Sequence, residues 1–342
     1  MSETLDLLVV GAGPTGIAIG AEAVENGLDV LLVDRGPLCA AILKFPTHMG
    51  FFTTRDKLEI AGIPFAIPEE KPSRRQALTY YQAVARRFRL PLALHEDVEE
   101  VQPRGDVFAV RTRALVPGAD GEIRERRARA VALATGYFDL PQTLGVPGED
   151  LPWVHRRYRE PYPHYGEHVV VVGGGNSACE AALDLWRNNV AVTMVVRKGD
   201  LKPTVKYWLK PDTKNRIAEG SIAGRFDTAV ESFRRSGPGN GGEVVVRHGG
   251  EREAIRADAA YVLIGYLPDA AFERRCGIEV DPETLVPAHD PSTCESNVPG
   301  LYIAGTLQSG RDTGRIFIEN SRAHAPKIVR HLLASRRPAI LV

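Results

Sequence analysis

Gly11, Gly13 and Gly16, in the run Gly11-Ala12-Gly13-Pro14-Thr15-Gly16, have the spacing of a turn that can hold a pyrophosphate against bare backbone. The first glycine makes the turn, the second lets N–H groups approach the phosphates, and the third lets a helix pack closely on a strand. A helix opening at Pro14 would add the partial positive charge of its N-terminus. Asp34 follows about 20 residues on, where a carboxylate can bond a ribose hydroxyl. The pattern recurs in Gly173-Gly174-Gly175-Asn176-Ser177-Ala178, but at the position corresponding to Asp34 stand Arg197 and Lys198, with Lys202 nearby. Cations there suit the extra phosphate of NADP, whereas an acid favours NAD, so the second loop reads as an NADPH site. An exposed basic pair can also be solvated surface.

The elements that must position these loops are legible around them. Leu5 to Val10 is an apolar run of strand length, Ile17 to Asn26 reads as a helix capped by Gly27, and Leu28 to Val33 is a second strand ending at Asp34. In the second unit His168 to Val172 is a β-branched strand, Cys179 to Asn189 a helix and Val190 to Val196 the closing strand. Strand, glycine turn, helix, strand and terminal charge agree in both places, which a glycine turn present for steric reasons alone would not require. Ser73 and Gln76 make a capping box before Ala77, Tyr81, Val84 and Phe88 at helical spacing, so Tyr80 and Tyr81 read as surface and core of one helix.

The chain of 342 residues balances 43 basic against 43 acidic residues at 44% hydrophobic composition. Two globular domains are expected, and no charge excess points to nucleic acid or acidic lipid. The apolar stretch from Leu7 to Ala23 follows an acidic leader, Met1 to Asp6, where a secretory signal would be basic, and no run reaches membrane-spanning length. A cytoplasmic protein is expected. Cys39, Cys179, Cys276 and Cys294 lie far apart, suggesting neither a disulfide framework nor a metal site.

Two further strands end on glycine: Ala130-Val131-Ala132-Leu133-Ala134-Thr135-Gly136, after a hairpin-like stretch from Phe108 to Val131, and Val298-Pro299-Gly300-Leu301-Tyr302-Ile303-Ala304-Gly305, before an expected helix from Ile316 to Leu333. Val262 to Gly265 gives the second unit a similar stop. This order resembles the two-dinucleotide-binding flavoproteins over nearly the whole chain. The resemblance implies an α/β fold of two Rossmann-like domains with three-layer ββα/βαβ architecture. In it a split FAD domain (1–155 and 290–342) accommodates an inserted NADPH domain (156–289). It places FAD on Gly11, Gly13, Pro14, Thr15, Gly16, Asp34, Thr135, Gly136, Gly305 and Thr306, and NADPH on Gly173, Gly175, Asn176, Ser177, Ala178, Arg197 and Lys198. Thr306 stands where the superfamily usually has an Asp for the ribityl chain, and its hydroxyl can still hydrogen-bond.

Within that superfamily, the thioredoxin reductases carry Cys-x-x-Cys before the second loop, and residues 139–168 contain no cysteine. The segments from Phe45 to Thr54, Lys57 to Ile60 with Ile63-Pro64-Phe65, and Ile316 to Asn320 resemble the bacillithiol disulfide reductases. That resemblance implies NADPH-driven, FAD-mediated reduction of a low-molecular-weight thiol disulfide, commonly by a homodimer. Family members have cysteine at the position of Thr15, and a hydroxyl has no comparable redox chemistry. Cys39, on the loop after Asp34, is the one substitute, or else a small buried residue. His48 and His324 fall in family-like segments and are candidate proton donors near the flavin, or histidines satisfied by their neighbours. The acceptor is expected to be a small-molecule disulfide or a small redox protein. The alternatives are a ferredoxin or flavodoxin NADP reductase, which needs no cysteine, and a scaffold that binds both nucleotides without turnover.

Overall fold

In the computed structural model, residues 4–116, 121–235 and 241–335 are described. The chain divides into two compact units, one of residues 1–43, 49–140 and 267–342, the other of 44–48 and 141–266. Each repeats one plan.

In the first unit the strand Leu5–Val10 leads into the helix Pro14–Glu25, and the chain returns as Val30–Asp34, parallel to the first strand. Leu92–Leu94 extends this parallel edge. On the other side of Leu5–Val10 lies Ile123–Leu133, a strand that does two jobs. Its earlier half pairs antiparallel with Val107–Ala114, which pairs with Glu96–Arg104. Its later half pairs parallel with Leu5–Val10 and with Leu301–Ile303. The sheet is apolar where layers cover it: Leu7, Leu8 and Val9 are fully buried, as a strand covered on both faces requires. The helices Arg74–Arg87 and His324–Ser335 pack beside Pro14–Glu25.

Leu8, Val33, Val101, Phe108, Val131 and Leu301 belong to the core on the side away from those helices.

The second unit opens with the strand His168–Val172, the helix Asn176–Arg187 and the parallel strand Ala191–Val195, then the helix Leu209–Ala218 and the strand Ala223–Arg225. Ala259–Val262 and Val154–His155 complete the parallel sheet. A three-stranded antiparallel sheet, Thr228–Arg235, Gly242–His248 and Glu251–Ala257, covers it through a core that includes Trp153, Val172, Phe233, Val244 and Val262. The α/β architecture with parallel sheets read from the sequence is the one observed.

Motifs put the domain limits at 155/156 and 289/290, while the contacts divide the chain after Leu140 and after Tyr266. The strand Val154–His155 explains part of the difference, since it pairs with the second unit's sheet. The helix Ala270–Arg275 explains the rest by packing on Glu96–Arg104 of the first.

Two local expectations are corrected. The single helix from Ile316 to Leu333 is two, Ile318–Ser321 and His324–Ser335, because Pro326 lacks the N–H that a continuous helix would need and suits a first turn instead. Tyr80 is not a surface residue: both Tyr80 and Tyr81 are buried, since residues 58–65 fold over that face of their helix. Phe65 stacks on Tyr80 at 4.2 Å, and the two hydroxyls donate to Ile63 O (2.7 Å) and Leu58 O (3.1 Å).

Candidate functional site

The first glycine loop leaves the end of Leu5–Val10 and is tied at once to the neighbouring strand, with Gly11 N donating to Val33 O at 2.7 Å. Gly11 has φ +110°, and a Cβ there would stand 2.5 Å from Ala134 O; a Cβ on Gly16 would stand 1.9 Å from Gly11 O. The protein's own packing therefore demands both glycines. Gly13 differs, because, its chain neighbours aside, nothing among the described residues lies within 4 Å of its Cβ position. Its bareness keeps open the space at the N-terminus of Pro14–Glu25, the cradle that a pyrophosphate fits.

Asp34 closes the loop from the adjacent strand. Its carboxylate accepts Ala12 N at 2.7 Å and Gly36 N at 2.8 Å. Burial nevertheless raises its carboxyl above the usual range, against the pull of those two amides. Gly11, Asp34, Thr135 and Gly136 line one cleft of about 460 Å³. Its far wall was not legible in the sequence. Arg35 pairs with Asp139 at 2.6 Å, and the buried Glu96 carboxylate accepts from Thr112, Arg124 and Arg126. A buried charge held by two guanidinium groups makes a rigid polar wall. Arg35 had a signal, a cation directly after the ribose acid; Glu96 had none.

Thr15, Gly305, Thr306 and Gly136 lie in one chain of contacts. A Cβ on Gly305 would come 3.1 Å from Thr15 Oγ1, and Thr306 Oγ1 is 3.5 Å from the Cβ position of Gly136. Thr15 Oγ1 also lies 3.1 Å from Ser321 Oγ, a partner that sequence reasoning missed. His324 is buried, and its Nδ1 accepts Gly305 N at 3.1 Å, so the neutral ring carries its proton on Nε2. Burial, with Lys327 and His289 nearby, pulls its pKa down to about 4. His48 is placed elsewhere: it is exposed, in the 44–48 segment grouped with the second unit, and meets Tyr162 edge-on at 5.8 Å.

Cys39 is fully buried, with its N donating to Ala12 O at 3.0 Å. Desolvation first, and the charge of Asp34 second, push its thiol far above the ordinary range, so almost no thiolate exists near neutrality. Cys179, Cys276 and Cys294 are likewise free and buried.

In the second unit Gly173 has φ +139°, and a Cβ there would stand 2.4 Å from Leu263 O and 3.2 Å from the Ala178 Cβ. Ala178 thus takes the close-packing place that Gly16 holds in the first loop. Beside Gly175, its chain neighbours aside, Lys202 Cδ at 3.7 Å is the one atom of the described residues within 4 Å of the Cβ position. Asn176 and Ser177 begin the helix Asn176–Arg187, and Arg197 and Lys198 are exposed just past the strand Ala191–Val195.

Residues 8–305 match the family described as pyridine nucleotide-disulphide oxidoreductase. The chain is 34% identical over 324 residues to the bacilliredoxin reductase Bdr of Bacillus subtilis, covering 94% of this chain and 95% of that one. A ferredoxin–NADP reductase of Ignicoccus hospitalis is more distant, 24% identical over 88% of this chain and 90% of its own. Among solved structures, the bacillithiol disulfide reductase Bdr (YpdA) of Bacillus cereus superposes with a TM-score of 0.92 at 33% identity, covering 98% of this chain and 100% of that one. A thioredoxin reductase of T. acidophilum shares the fold, with a TM-score of 0.74 at 20% identity, covering 97% and 98%.

Proposed function

The chain belongs to the pyridine nucleotide-disulphide oxidoreductase family, and we propose that it is an NADPH-dependent flavin enzyme that reduces a low-molecular-weight thiol disulfide. The observation that carries this reading is the full-length likeness to bacillithiol disulfide reductases, together with two glycine loops whose packing tolerates no Cβ at Gly11, Gly16 or Gly173. The overall conversion balances as NADPH, one proton and RSSR giving NADP⁺ and two RSH.

FAD is assigned to the first loop with Asp34, Thr135, Gly136, Gly305 and Thr306, and NADPH to the second with Asn176, Ser177, Ala178, Arg197 and Lys198. The chemistry that bound FAD supplies is acceptance of two electrons from NADPH and their release to a second substrate. The chain's own residues shape and orient. Asp34 fixes the first turn, leaving ribose hydroxyls to bond a carboxylate already held by two amides. His324 positions Gly305 through its amide, and Thr15 and Ser321 present hydroxyls beside it. No helix of the described residues is long and apolar enough to cross a membrane. Four unpaired cysteines suit a reducing compartment, which supports the cytoplasmic reading.

A second reading has electrons leave singly to a carrier protein, as in a ferredoxin or flavodoxin NADP reductase. The burial of every cysteine favours it, because neither position 15 nor Cys39 offers a thiolate for disulfide exchange. Anaerobic reduction by NADPH, followed by bacillithiol disulfide, separates the two through flavin absorbance. Rapid reoxidation by the disulfide is the expected result; flavin that ignores it and reoxidises with ferredoxin or flavodoxin establishes the second reading instead.

A further inference from the structure

In the second unit, the stretch just before the glycine loop holds no cysteine and is built as a ridge. Tyr158, Pro161 and His164 are buried, while Arg159, Tyr162 and Tyr165 are exposed, the two tyrosines over 61% and 78% of their surface. A repeat of three residues, with one 3-10 turn at Tyr162–His164, sets the outward side chains on one side of the segment. The inward ones fasten it. Tyr158 OH donates to the Asp184 carboxylate at 2.6 Å, and the His164 ring bridges Glu167 and the Tyr261 hydroxyl, 2.7 Å from each. Satisfied polar contacts of this kind hold rigid the backbone that carries the exposed side chains. Residues 44–48 run alongside, with Thr47 N donating to Arg159 O at 2.8 Å and His48 edge-on to Tyr162 at 5.8 Å.

The three arginines of this stretch are unequal in their freedom. Arg156 pairs with Asp150 at 2.6 Å, and Arg157 hydrogen-bonds the Tyr266 side chain. Arg159 is exposed and makes no ion pair among the described residues. Its backbone is tied down while its guanidinium is left to solvent, next to a tyrosine ring that offers contact area with few rotatable bonds.

We propose that Arg159 and Tyr162 bind the electron acceptor, with the guanidinium gripping a carboxylate of a disulfide that carries carboxylates. The inference rests on the disulfide-reductase reading and goes beyond it by naming the chemistry that the acceptor presents and the residues that recognise it. A guanidinium meets a carboxylate through two parallel N–H···O bonds, and its planar fork loses less freedom per bond than an ammonium on a flexible stem. An exposed ion pair is usually worth little, because two mobile side chains must be ordered to make it. Here the Tyr158 and His164 contacts order the carrier backbone before the ligand arrives, which lowers that cost.

The test is stopped-flow reoxidation of the NADPH-reduced, FAD-loaded full chain by bacillithiol disulfide, whose two halves carry carboxylates, giving an apparent Kd and a limiting rate. Arg159→Gln is expected to raise the Kd about tenfold, the loss of one charge-assisted contact, with the limiting rate unchanged. Arg159→Lys keeps the charge without the fork and is expected to fall between. Tyr162→Ala is expected to raise the Kd about threefold, and an unchanged value there would remove the ring from the site. Added salt is expected to weaken wild type more than Arg159→Gln, because an exposed pair is screened. An unchanged Kd in Arg159→Gln, or a salt response equal to that of wild type, would overturn the proposal. So would a raised Kd for NADPH in the reductive half-reaction, which would make Arg159 a nucleotide contact, or a lowered thermal midpoint with the Kd in place, which would make it structural. Wild-type flavin that NADPH reduces and bacillithiol disulfide leaves reduced would instead defeat the underlying disulfide reading.

Discussion

The Asp34 carboxylate accepts the Ala12 amide at 2.7 Å, so the acid ending one strand holds the turn that ends its neighbour. Asp34→Ala removes the acceptor of both Ala12 N and Gly36 N, and each part-buried amide left unpaired costs about 1–3 kcal/mol. We expect a lower thermal midpoint and reduced FAD content after purification, with Asp34→Asn intermediate because its amide keeps one oxygen. Full FAD occupancy in Asp34→Ala would separate this carboxylate from cofactor binding.

Gly13 and Gly16 are expected to fail differently. A Cβ on Gly16 meets Gly11 O at 1.9 Å, while one on Gly13, its chain neighbours aside, meets no atom of the described residues within 4 Å. Gly16→Ala should therefore misfold or express as aggregate, whereas Gly13→Ala should give a folded, colourless protein. Circular dichroism and the flavin absorbance distinguish the two, and a yellow Gly13→Ala at full occupancy would argue against a pyrophosphate at that face.

Cys39→Ala tests whether any thiol of the first loop region takes part in turnover. With the side chain fully buried, we expect disulfide-dependent NADPH oxidation within about twofold of wild type and a stability loss of roughly 1 kcal/mol from the small void. Abolished disulfide reduction with intact flavin reduction would make Cys39 the redox thiol in spite of its burial.

His324 gives a pH signature. Its folded-state pKa, about 4, lies below the unfolded value of about 6.5, so the unfolded chain takes up the proton first as pH falls. The stability held by the neutral ring is complete above pH ~6.5, is lost on descending to about 4, and changes no further below. His324→Asn can still accept Gly305 N through its amide oxygen and does not titrate. The thermal midpoint of wild type should fall more steeply than that of the variant across this window, and parallel curves would contradict the assignment.

Much of this molecule is written locally. Each dinucleotide unit is a strand, a glycine turn, a helix and a strand within a few tens of residues, and periodicity, glycine spacing and the charge at the second strand's end all lie inside that span. Asp34 against Arg197 and Lys198 could be compared directly because both units present the position at the same place in the pattern. Tertiary structure alone decided what faces those loops. Thr15 meets Ser321 across 306 positions, His324 reaches Gly305 from a helix whose start Pro326 shifts, and Tyr80 is buried because residues 58–65 fold over it. The burial of all four cysteines belongs to the same class. A hydrophobic period shows which face of an element is covered but not by what, and side-chain partners far apart in sequence meet only when separate layers pack.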